Sequence, residues 1–91
     1  MGLSEDEIEF LQDRIEELEN DHPNVRFDRL KTICRKVFGE GRTRGSHHIF
    51  STPWPGDPRI NLQESSGGEA KPYQIKQVIK SLKKRLEMGK E

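Results

Sequence analysis

The residues with the clearest chemical potential are Gly45-Ser46-His47-His48, a glycine-led turn followed by two of the three histidines in the chain. An imidazole with its ordinary pKa of about 6.5 takes up and releases a proton near neutral pH, which suits general acid–base work. RNA offers a matching substrate. Its 2′-hydroxyl, once deprotonated, attacks the adjacent phosphate, and Arg or Lys side chains stabilise the charge that develops on the phosphorane. Arg42 and Arg44 precede the histidines, Arg59 follows them and Lys71 lies further on, so cations for phosphate are present. This chemistry calls for neither metal nor cofactor. Residue type alone favours a different reading, because histidines beside a tight turn often serve only as solvated or hydrogen-bonding groups and short motifs recur by chance. The basic residues have a similar alternative as the solvated face of a Lys-rich helix. A zinc site from His22, Cys34, His47 and His48 is rejected: neighbouring strand residues diverge, and no Cys-x-x-Cys or His-x-x-x-His spacing occurs.

Net charge argues for a nucleic-acid partner only once it is resolved along the chain. The total is +0 over 91 residues. Residues 1–22 hold nine Asp and Glu against Arg14 alone, a net −8, whereas residues 23–91 hold fifteen Lys and Arg against seven acids, a net +8. Hydrophobic residues are 30% and charged ones 35% of the chain, so the core must be thin, a large cofactor cavity is excluded and any active site is shallow. One cysteine, Cys34, allows no internal disulfide, and the acidic N-terminus is unlike a secretory signal; a reducing cytoplasm is the expected location. No apolar run reaches the roughly 20 residues of a membrane span, so no membrane association is expected.

The elements that must position these residues are legible from periodicity and caps. Ser4 and Glu7 form a capping box ahead of Ile8, Leu11, Ile15 and Leu18, predicting a helix from about Glu5 to Glu19, stopped by Asn20-Asp21-His22-Pro23. That stripe is read as packing on its own domain or self-associating with another chain. A second helix carries Phe27, Leu30, Ile33, Cys34, Val37 and Phe38, with Gly39 and Gly41 to end it. Strands near 41–44 and 47–52 pair around Gly45-Ser46 in a type II′ hairpin. Trp54 sits in a proline-rich loop over 53–58 and is read as packing there rather than stacking on a base. A third strand alternates over Arg59-Ile60-Asn61-Leu62-Gln63, a Ser/Gly loop that looks mobile spans 64–69, and Pro72 opens a last helix with Ile75, Val78, Ile79, Leu82 and Leu86 on one side.

The predicted class is α+β: a two-layer α-β-β-β-α sandwich over 23–91, preceded by an acidic helical extension and linker over 1–22. Two helices cover one sheet face and leave the other open. Alternation along 47–52 puts His47, Ile49 and Ser51 on one side and His48, Phe50 and Thr52 on the other. If Phe50 anchors the core, His47 lies on the open face and His48 turns inward or to the edge.

Arg42-Thr43-Arg44-Gly45-Ser46-His47-His48-Ile49-Phe50, together with Ile60-Asn61-Leu62 and Lys71-Pro72-Tyr73-Gln74-Ile75 in that order, resembles the HicA toxins of bacterial toxin–antitoxin pairs over about residues 27–86. The resemblance implies a double-stranded-RNA-binding-like fold, metal-independent cleavage of mRNA and neutralisation by a HicB-like antitoxin. It places the catalytic role on His47, with His48 as second choice. Gly45 and Ser46 shape the turn, and Arg42, Arg44, Arg59 and Lys71 contact RNA. The alternative is an RNA-binding module that does not cut. The acidic arm and the proline-rich loop depart from the family pattern. One expectation for the arm is that it folds over the basic RNA face and shields it.

Overall fold

The computed structural model describes residues 2–21, 24–55 and 59–89. Its elements are α1 (Glu5–Asp21), α2 (Phe27–Phe38), β1 (Arg42–Arg44), β2 (His47–Phe50), β3 (Ile60–Gln63) and α3 (Pro72–Gly89), an α+β arrangement with an antiparallel sheet in the order β1-β2-β3. The expected capping box opens α1: the Ser4 amide donates to Glu7 Oε1 at 2.9 Å and the Glu7 amide to Ser4 Oγ at 3.1 Å. These bonds hold the Glu7 carboxyl below the usual carboxylate range. The helix runs beyond Glu19 to Asp21, whose carbonyl accepts the Asn24 amide. His22 and Pro23, which were expected to stop it, lie outside the described residues.

α2 begins after the extended Arg26 and ends at Gly39, which turns the chain with φ 85°. The strands are shorter than the sequence pattern suggests. β2 stops at Phe50 rather than Thr52, and β3 starts at Ile60 rather than Arg59. Prolines beyond Thr52 leave too few amides to continue the ladder; Gly56, Asp57 and Pro58 of that loop are outside the described residues. β1 likewise begins one residue late, at Arg42; Gly41 before it is packed against the Ile49 carbonyl and the Phe50 ring so closely that a Cβ there would collide with both.

The segment over 64–69 is pinned, contrary to the expectation of a mobile loop. Arg26 and Glu69 form an antiparallel bridge, the Phe27 amide donates to Gly68 O at 2.9 Å, and the Ala70 amide donates to Val25 O at 2.9 Å. This ties the start of α2 to the approach to α3. There Pro72 occupies the first helical position, and buried Gln74 takes the Lys71 amide on Oε1 at 3.3 Å while its Nε2 donates to Gln63 O at 3.0 Å. A fully buried amide side chain is tolerated because both ends are bonded.

One core results. Phe50, Ile60 and Leu62 of the sheet meet Phe27, Leu30 and Ile33 of α2 and Ile75, Val78 and Leu82 of α3. Leu11, Ile15 and Leu18 of α1 belong to the same cluster, so the N-terminal stripe packs within its own chain, mainly along α3. Leu3 stacks on Gly89, Glu17 pairs with Arg29 at 2.7 Å and Glu19 with Lys83 at 3.0 Å. The acidic helix therefore directs these carboxylates at α2 and α3; among the described residues its ion pairs to other elements go to Arg29 and Lys83 rather than to Arg42, Arg44 or Arg59, while Glu19 also lines a groove with Lys76 and Lys80. Hydrogen bonding from Arg29 holds the Glu17 carboxyl below its ordinary range. Its stabilising contribution is present at neutral pH and is lost as pH falls through that lowered value. Burial pushes the Cys34 thiol up to about 12, which leaves it protonated and unreactive in the core.

Candidate nucleic-acid interface

The hairpin sets the site. Gly45 has φ 59° and Ser46, like every non-glycine residue among the described ones, has no positive φ, the combination a Gly-Ser type II′ turn requires. Arg44 then pairs with His47, Thr43 with His48 and Arg42 with Ile49. On the other side His47 pairs with Gln63, His48 with Leu62, Ile49 with Asn61 and Phe50 with Ile60. Paired residues share a face. Since Phe50, Ile60 and Leu62 are buried, His48 belongs to the core side, and Arg42, Arg44, His47, Ile49, Asn61 and Gln63 share the open side.

The two histidines accordingly differ in surroundings. His48 lies against the Phe27 ring with centroids 5.5 Å apart, its Nδ1 is 3.4 Å from Thr43 Oγ1, and its Nε2 is 4.0 Å from a Glu64 carboxylate oxygen. Packing accounts for it. His47 is half-buried on the open face, with Nδ1 3.1 Å from Asn61 Oδ1. An amide oxygen only accepts, so with Asn61 in this orientation Nδ1 donates and, in the neutral ring, Nε2 carries the lone pair. Asn61→Leu removes that acceptor. The ring nitrogens of His47 are then expected to shift toward a tautomer mixture in ¹⁵N spectra; unchanged ring shifts would remove Asn61 from the account.

His47 also lines a shallow groove of about 530 Å³ where the open face meets α3. Asn61 and Gln63 form the strand side, and Tyr73, Lys76, Gln77 and Lys80 the helix side. A second groove, of about 430 Å³, contains Arg42, Ile49 and Arg59 together with Trp54. Trp54 is held from behind, edge-on to Phe38 at 6.1 Å and beneath the Lys84 ammonium at 4.6 Å, so it packs as expected but against α2 and α3 rather than within its own loop.

Of the residues singled out in the sequence, Arg42, Arg44, His47 and Arg59 are brought to one surface, with Gly45 and Ser46 at its hairpin end. Lys71 is exposed just before α3 and lines neither groove. Asn61, Gln63, Tyr73, Lys76, Gln77 and Lys80 were missed as site residues. The signal for the last four was present: they recur at i, i+3, i+4 and i+7, opposite the apolar stripe of α3. No helix among the described residues is long and apolar enough to cross a membrane. No family model, curated protein or solved structure matches the chain.

Proposed function

We propose that the open sheet face binds RNA and that the protein is a HicA-like endoribonuclease of double-stranded-RNA-binding-like fold, acting in the cytoplasm and held in check by a HicB-like antitoxin. The observation that carries this reading is His47, a histidine whose Nδ1 lies 3.1 Å from Asn61 Oδ1 and whose Nε2 has no hydrogen-bond partner among the described residues, on a surface that also holds Arg42, Arg44, Arg59, Lys76 and Lys80. His47 Nε2 takes the proton of a 2′-hydroxyl, the resulting oxyanion attacks the adjacent phosphorus, and the P–O5′ bond breaks. The 5′-oxygen leaves with a proton from solvent. The products are a 2′,3′-cyclic phosphate and a 5′-hydroxyl, and the arginines and lysines stabilise the phosphorane between them. The role first given to Lys71 passes to Lys76 and Lys80, which stand at the groove.

The test uses mRNA with EDTA present. Cleavage of RNA to cyclic-phosphate ends, with a 2′-deoxy nucleotide at the cut site blocking the reaction, is the expected outcome. Binding without cleavage would make the chain an RNA-binding module, and cleavage of the 2′-deoxy strand would eliminate this mechanism.

A further inference from the structure

Tyr73 is 58% exposed and is the one large hydrophobic residue so exposed among the described residues. A tyrosine gains little by standing in water on the second position of a helix, and its ring is not part of the core. Its position is informative. It lines the same groove as His47, one helical turn before Gln77 and beside Lys76 and Lys80. The opposite wall consists of His47, Asn61 and Gln63, so besides that imidazole the groove combines one phenol ring, three side-chain amides and two ammonium groups. Its volume, about 530 Å³, lies within the range of sites that hold one small organic group.

Resting on the RNA reading above, we infer that the groove between β3 and α3 is a subsite for one unpaired nucleotide, its base stacked on Tyr73 and its flanking phosphates held by Lys76 and Lys80. An aromatic plane beside amides and cations is the combination by which proteins hold unstacked bases: every base has a π-face, amides bond to base edges, and ammonium groups follow the backbone. A paired base has both faces covered by its neighbours and cannot present one to Tyr73. The subsite thus selects single-stranded over double-stranded RNA and places one nucleotide beside His47.

The experiment measures binding of the full chain to a fluorescent, 2′-fluoro-substituted octamer that cannot be cut, single-stranded or annealed to its complement. Wild type is expected to prefer the single strand. Tyr73→Ala should weaken that binding by about 5- to 100-fold, the usual effect of losing one base–aromatic stack, whereas Tyr73→Phe retains it. Moving one abasic position along the octamer should reveal a single place where removing the base costs wild type a similar factor and costs Tyr73→Ala nothing more. Circular dichroism checks that both variants fold, as an exposed side chain leads one to expect. Wild-type affinity in Tyr73→Ala, or abasic and Tyr73→Ala losses that add, overturns the subsite while leaving RNA binding intact. Failure of wild type to bind either form of RNA overturns both.

Discussion

His47→Ala is expected to lower RNA cleavage by about 10²–10⁴-fold, the usual contribution of a positioned acid–base group, with the melting temperature nearly unchanged. The expectation follows from a half-buried ring on the open face whose one side-chain hydrogen bond among the described residues is to Asn61. His48→Ala should do the opposite. Its ring packs on Phe27 and neighbours Thr43, so its loss should reduce stability by about 1–2 kcal/mol and leave cleavage by the folded molecules close to wild type. Gel-based cleavage beside thermal denaturation separates the two. An active His47→Ala with an inactive but folded His48→Ala would reverse the assignment.

Leu18→Ala should have a large effect on folding. The side chain is fully buried between α1 and the rest of the core, and deletion of this kind typically costs about 2–5 kcal/mol. A small domain has only about 5–15 kcal/mol in total, so urea denaturation should show a markedly earlier midpoint. A wild-type midpoint would mean that α1 is dispensable. The same packing bears on α1 as a regulatory arm: cutting it off uncovers apolar surface on α3, so altered RNA binding by such a fragment would report damage to the fold. Neutralising exposed acids such as Glu9 and Asp13 in the intact chain is the cleaner comparison.

The sheet faces were legible because alternation is strict. Once Phe50 is inside, His48 must accompany it and His47 must not. The type II′ turn, the capping box and the Pro72 start could be read for similar reasons, since each depends on a local residue choice. Two features could not. The stripe Ile8-Leu11-Ile15-Leu18 specifies a surface to be covered without specifying what covers it, and only the tertiary structure shows α3 doing so. The Ser/Gly run over 64–69 has the composition of a loose loop, yet it is fastened to Arg26 and Phe27 from a distant stretch of chain. The site was half visible for the same reason. Residues on the hairpin were found by sequence proximity to His47, and Asn61 and the α3 side chains were missed because only pairing and helix docking bring them near.

The placement of α1 also bears on how the molecule meets a polyanion. With α1 packed on the helical side and Arg42, Arg44 and Arg59 on the open face, an uncharged total becomes an electric dipole. A neutral body feels little net pull from a distant phosphate chain, but a dipole experiences a torque. On the proposed RNA-binding reading, the open face with its arginines would turn toward the strand and α1 away from it, a bias that fades as salt shortens the reach of the field.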